Sequence, residues 1–290
     1  MNLNLPAHPP FSLSAAARSH GWLQLPPFEW GAGVLTRVER LSRGRVVELR
    51  MRDSGPGVSV DGVDGLTEVE RQEVADKARW MLQLDLDLGP FYALARDEPH
   101  LAHLEGSARG RILRSPTLFE DVVKTILTTN VQWSGTIRMV KALVSGFGDP
   151  LPAEPARHAF PTPERLAATD EEALRSAGLG YRAPYVLELA RSITEGDLDL
   201  EGLRGAELST PELRKRLLAI KGVGDYAAAN LLILLGHFDF LPVDSWAMTM
   251  VSREWHGGEP VGRAEVEAAF EGWGEWKGLA FWFWDWTGGG

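Results

Sequence analysis

Residues 33–61 alternate between apolar and polar positions with a period of two. The runs are Val34-Leu35-Thr36-Arg37-Val38, Val46-Val47-Glu48-Leu49-Arg50-Met51 and Val58-Ser59-Val60. Ser42-Arg43-Gly44 and Ser54-Gly55-Pro56-Gly57 separate them, so the segment predicts a small antiparallel sheet. From Glu68 onward the period becomes helical. Phe119, Val122, Val123, Ile126 and Leu127 mark one apolar face of a helix that Pro116 is expected to open. Residues 152–163 form a Pro-rich connection. Thr162-Pro163-Glu164 and Ser209-Thr210-Pro211-Glu212 are both helix starts, with Pro in the first turn and acids after it. Helices over 265–271 and 276–286 close the chain, with Gly288 to Gly290 as a frayed tail. The pattern gives an α+β fold: an N-terminal β-rich domain over 1–74 and a helical core over 75–287. No internal repeat is evident.

Within the helical part, residues 220–246 (IKGVGDYAAANLLILLGHFDFLPVDSW) carry the chemistry. Gly222-Val223-Gly224 turns into an apolar helical run, and a glycine-bracketed turn before a helix presents backbone N–H groups that suit a phosphate oxygen. Further on, Pro242-Val243-Asp244 places a carboxylate at the start of another helix. An anion grip and a carboxylate a short loop apart suggest an enzyme acting on a nucleic-acid backbone.

Composition narrows the class. The chain has 290 residues, long enough for two domains. Its apolar content argues against disorder, and no run of apolar residues is long enough to predict a membrane span. The N-terminus lacks a basic start followed by an apolar stretch, so no secretory signal is read and a cytoplasmic, nucleoid-associated protein is expected. With no cysteine, the chain holds no disulfide, zinc–thiolate site or iron–sulfur cluster. No metal set is legible around His100 and His103, and no phosphate-binding loop of the nucleotide hydrolases is present. The net charge of −10 runs against DNA binding, where phosphate neutralisation supplies much of the affinity. A local basic face and uncharged backbone amides remain compatible with it.

Three ordered segments carry a resemblance. Residues 217–235 with Pro242-Val243-Asp244 resemble the helix-hairpin-helix plus Gly/Pro…Asp signature of a DNA glycosylase superfamily. Leu179-Gly180-Tyr181-Arg182-Ala183-Pro184-Tyr185 and residues 111–130 resemble its 8-oxoguanine branch; the bacterial 3-methyladenine glycosylase II branch is also similar. The likeness extends over residues 75–287. It implies an N-terminal β-rich domain before two all-α lobes with the active cleft between them, double-stranded DNA carrying damaged bases as partner, and a monomer without a membrane. It implies no cofactor, although a monovalent cation at the hairpin fits the resemblance.

Read alone, Asp244 is first of all a helix N-cap; the resemblance makes it the expected catalytic residue, and the two roles are compatible. Breaking a base–sugar bond builds oxocarbenium-like positive charge on the sugar. A carboxylate about 4 Å away stabilises that charge by roughly 4 kcal/mol at an effective dielectric near 20, about a thousandfold in rate. Tyr226 stands where the bifunctional members have an attacking lysine. A phenol forms no Schiff base, so lyase activity is not expected.

Gly222, Val223 and Gly224 are expected to bind phosphate; Lys221, before the turn where the family usually has Pro, is a phosphate contact or a solvated charge rather than a displaced nucleophile. Asn130 and Gln132 lie where relatives fill the space left by a flipped base, unless Asn130 caps a helix. Tyr181 and Arg182 either meet the opposite strand or form a turn with a surface arginine. The stretch WGEWKGLAFWFWDW is a buried helix or a pocket wall. Phe281 falls where the 8-oxoguanine enzymes present a glutamine to the purine edge, and the chain lacks their N-terminal Gly-Gln-x-Phe-Arg segment. With Trp282 and Tyr226, Phe281 points to a cationic alkylated purine held by stacking and cation–π attraction. The expected function is a monofunctional DNA glycosylase of base excision repair. A bifunctional 8-oxoguanine glycosylase/lyase and a non-catalytic helix-hairpin-helix DNA-binding protein are the alternatives.

Overall fold

A computed structural model describes residues 2–284. The expected tail at Gly288–Gly290 and the last residues of the closing helix lie outside the described residues. The chain divides into two compact units. The first comprises the residues up to Asp87 together with Ser107–Ala206; the second comprises Leu88–Gly106 and the residues from Glu207 onward.

The first unit contains a five-stranded antiparallel sheet in the order β1-β5-β4-β3-β2. The strands are β1 (Leu3–Pro6), β2 (Phe28–Gly31), β3 (Val34–Arg40), β4 (Val46–Asp53) and β5 (Gly57–Asp61). The three predicted strands are β3, β4 and β5; β1 and β2 are four-residue edge strands too short to carry an alternation. Leu35 pairs with Met51, and Met51 with Val60, so these apolar side chains share one buried face. A short ribbon of β6 (Pro150–Leu151) and β7 (Glu154–His158) forms at the start of the Pro-rich connection.

The helices of this unit are α1 (Leu13–Ala17), α2 (Glu68–Leu82), α5 (Leu118–Thr128), α6 (Trp133–Phe147), α7 (Pro163–Ala167), α8 (Glu171–Leu174) and α9 (Ala183–Thr194). Thr67 and Glu70 close a capping box on α2. Thr117, not Pro116, caps α5: its hydroxyl accepts from Glu120 N, and Pro116 lies one residue outside. Charged residues join sheet to helix. On β3, Arg37 donates to Glu39 at 2.6 Å and to both Glu120 oxygens at 2.6 and 3.0 Å. Lys124 meets Glu120 at 2.6 Å, and Lys77 meets Glu39 at 2.6 Å. Burial opposes the charge on Glu120, but Arg37 and Lys124 outweigh it and hold its carboxyl at about 2.

The second unit is helical: α3 (Gly89–Ala95), α4 (His103–Gly106), α10 (Thr210–Leu218), α11 (Asp225–Leu235), α12 (Ser245–Trp255), α13 (Arg263–Ala269) and α14 (Lys277–Phe283). Its axis is α11, where Ala227, Ala228, Ala229 and Leu231 to Leu234 are all buried. An all-round apolar helix belongs at the centre of its unit. Gly236, at φ +92°, ends it; Gly236 N–H reaches Ile233 O (3.0 Å) and His237 N–H reaches Leu232 O (2.9 Å), a Schellman turn. The expected α+β fold with an N-terminal sheet and a helical body is the fold observed.

Candidate active site

The hairpin begins with α10, whose first turn is held by a capping box: Ser209 N–H and hydroxyl both donate to Glu212, at 2.9 and 2.5 Å. After Leu218 the chain tightens, with Ile220 N–H on Leu217 O at 3.1 Å and Val223 N–H on Ile220 O at 3.0 Å. Ile220 and Val223 turn inward and are buried. That leaves Lys221 and Gly224 on the exposed side of the turn.

The two glycines differ. Gly222 sits at φ +88°, a left-handed conformation that side chains resist. Gly224 has φ −93° and caps α11, and a Cβ there would meet nothing within 4 Å. Positive φ therefore explains Gly222 only. Gly224 stands in open space at the start of α11, where the first-turn N–H groups have no intrahelical acceptor.

Asp244 caps α12, its Oδ1 accepting from Ala247 N at 2.8 Å, which fixes one carboxylate oxygen and leaves the exposed group rigid. The preceding loop is anchored to α10 through Thr210, whose hydroxyl donates to Asp239 (2.6 Å) and contacts His237 Nδ1 (2.8 Å). Burial lowers the His237 pKa against the opposing pull of Asp239; because the Thr210 hydroxyl proton goes to Asp239, the tautomer that fits has Nδ1–H donating to the Thr210 oxygen. Phe238 stacks on Trp276 with centroids 5.7 Å apart.

Helix α14 approaches this loop through Gly278, whose N–H donates to Phe238 O at 2.7 Å. A Cβ on Gly278 would lie 2.2 Å from Phe240 O, so only glycine allows the approach. Phe281 and Trp282, on the next turn, are thereby held near Asp244.

Two cavities meet at Asp244. One, of about 360 Å³, has an aromatic wall of Tyr226, Trp246, Phe281 and Trp282, with Asn230 and Ile233 beside it. The other, of about 820 Å³, takes in Arg214, Asp239, Arg263 and Lys277. Tyr226, Ala229, Pro242 and Asp244 line both. The structure thus brings together the predicted Asp244, Tyr226, Phe281 and Trp282. Sequence reasoning missed Trp246, Gly278 and Lys277. The exposure of Trp246, at 47%, is a feature of the fold, although its place two residues after Asp244 was visible.

The remaining predicted contacts lie in the first unit. Asn130 follows α5 at φ +48°, so it stands beyond the helix end. Gln132 opens α6 without a side-chain cap. Tyr181 is exposed, and its hydroxyl donates to Thr129 O at 3.4 Å. Arg182 is buried, with its guanidinium over the Tyr181 ring at 4.3 Å and an N–H on Thr129 O. The two family-like segments therefore converge on Thr129, with Arg182 as an internal strut of that turn.

No cluster of residues suited to a metal ion occurs among the described residues, and no described helix is long and apolar enough to cross a membrane.

Fold and site define a helix-hairpin-helix protein with a carboxylate beside an aromatic cavity. The sequence model of the HhH-GPD superfamily of base excision DNA repair proteins matches residues 123–275, more than half of the chain. The chain belongs to this superfamily and, with it, to the base excision repair DNA glycosylases. It is 28% identical over 233 residues to a "Probable N-glycosylase/DNA lyase" of Methanothermobacter thermautotrophicus, covering 72% of each chain. It is 24% identical to a "DNA-3-methyladenine glycosylase" of Bacillus subtilis, over 69% of this chain and 63% of that one. Its fold is similar to that of a 3-methyladenine DNA glycosylase from Archaeoglobus fulgidus, at a TM-score of 0.78 and 24% identity, over 99% of this chain and 98% of the other.

Proposed function

We propose that the protein is a monofunctional DNA glycosylase that releases an alkylated purine. The observation that carries this reading is the cavity shared by Asp244 and the aromatic wall of Tyr226, Trp246, Phe281 and Trp282. A flipped base enters between the rings, where an alkylated, cationic purine gains from stacking and cation–π attraction that a neutral base lacks. This places the sugar beside Asp244. The carboxylate opposes the charge that grows on the sugar and orients the attacking water.

The hairpin position that would need an amine for strand cleavage carries the Tyr226 phenol, so water is the nucleophile and the strand stays whole. Hairpin amides around Gly222 and Gly224 hold a backbone phosphate; on the first unit the exposed Asn130, Gln132 and Tyr181 offer further DNA contacts, while the buried Arg182 holds their turn from within. The 3-methyladenine activity in the name of the Bacillus relative supports the substrate reading. The lyase in the name of the archaeal relative favours a second reading, in which another lysine cleaves the strand.

Incubation of the purified protein with a panel of lesion duplexes, with free bases separated by chromatography, tests the proposal. Release of alkylated purines supports it. Duplex binding without release of any base would leave a DNA-binding module instead.

A further inference from the structure

The larger cavity beside Asp244 holds a group that base release does not use. Lys277 is the first residue of α14, directly before the Gly278 contact, and it lines the 820 Å³ cavity together with Asp244. The other two cations of that cavity are already matched. Arg214 donates to Asp225, and Arg263 meets Glu267 at 3.2 Å. Lys277 has no carboxylate within ion-pair distance among the described residues, although Asp225, Asp239 and Asp244 line the same cavity. Its charge is left for something outside the protein.

The chemistry across the two cavities runs from aromatic wall to carboxylate to ammonium. A nucleotide presents base, sugar and phosphate in the same order. An ammonium repels a cationic base and gains little from a neutral one, whereas the phosphodiester is the anion that the substrate brings with it. We propose that Lys277 binds a phosphate flanking the flipped nucleotide, a contact separate from the one at the hairpin. The inference rests on reading the Asp244 cavity as the glycosylase site. A lysine suits the task because a compact ammonium on a flexible stem follows a phosphate as the nucleotide rotates.

The test compares wild type, Lys277→Met, Lys277→Gln and Lys277→Arg. On a duplex carrying 3-methyladenine it reads kcat and KM; on a duplex with a tetrahydrofuran abasic analogue it reads affinity against salt. Either neutral variant should raise KM about tenfold, the loss of one charged hydrogen bond. It should leave kcat within about threefold and lower the slope of log affinity against log salt by about 0.9, the value of one phosphate. Lys277→Arg should restore most of both. A purely structural role would not move the slope.

Wild-type KM and slope in a folded neutral variant would overturn the assignment. So would a borohydride-trapped adduct on abasic DNA that disappears with Lys277, which would make the residue a nucleophile. Should the wild type release no base from any lesion duplex, the glycosylase reading falls, and the salt slope still decides whether Lys277 meets a phosphate.

Discussion

Trp246 meets Phe281 edge to face, with ring centroids 5.1 Å apart and planes at 80°. The contact ties the first turn of α12 to α14, so the helix that Asp244 caps and the helix that bears the pocket wall are fixed together. Such a pair contributes about 0.5–1.5 kcal/mol beyond its buried area. Replacing either ring by alanine is expected to slow release of several lesions together, because an apolar pocket discriminates by only about 1–3 kcal/mol. Rates on a lesion panel check this; loss of one substrate alone would show that the pair reads a specific base edge.

Asp244→Asn keeps the cap, since asparagine also accepts from the Ala247 amide. It removes the charge. Base release should fall by roughly 10²–10⁴-fold while duplex binding and melting temperature stay unchanged. Single-turnover kinetics decide the matter, and near wild-type turnover would take Asp244 out of the mechanism.

The hairpin glycines should separate. Gly222→Ala forces a left-handed alanine, so stability and DNA affinity should both drop, the former by about 1 kcal/mol. Gly224→Ala adds a Cβ into open space, so stability should hold while affinity for every duplex falls alike. Paired melting and binding measurements test this. A Gly224→Ala protein with full affinity would show that no phosphate approaches there.

Much of this was readable from the chain, and the exceptions have physical causes. Local chemistry announced itself: the Ser209/Glu212 capping box, the glycine turn at 222–224 and Asp244 as a cap are all encoded within a few neighbours. The alternation of β3 to β5 was legible, whereas β1 and β2 are too short for a period to emerge. Features made by distant partners were hidden. Arg182 is buried because it reaches a carbonyl 53 residues away, and Gly278 is needed because α14 meets the backbone near Phe240. Lys277 resembled any helix-start lysine until the fold placed it in the cavity of Asp244.

In the first unit, Asp121 is buried on α5, its Oδ1 accepting from Trp22 Nε1 at 2.7 Å and Ser115 N at 2.9 Å, while Oδ2 has no partner. Burial pushes its carboxyl up from 3.8 to about 6, against the pull of those hydrogen bonds. Between these values the native state holds more protons than the unfolded chain, so this group's contribution to stability falls as pH rises through the window. Asp121→Asn stays neutral throughout. It should be more stable than wild type by about 3 kcal/mol at pH 8 and within about 1 kcal/mol of it at pH 4. The shift of His20, lowered by burial to about 4, runs the other way but is common to both proteins and cancels at each pH. Urea unfolding at the two pH values checks this; a variant less stable at pH 8 would contradict it.

The central claim joins a carboxylate, an aromatic pocket and a missing amine in one site. It is tested most directly by following free base and strand ends together, on matched duplexes carrying 3-methyladenine or 8-oxoguanine. Tyr226 and Phe281 predict faster release of the alkylated purine, with the strand intact until alkali is added. Efficient nicking of the 8-oxoguanine duplex, with a covalent adduct trapped by borohydride, would contradict both the proposed substrate and the proposed chemistry.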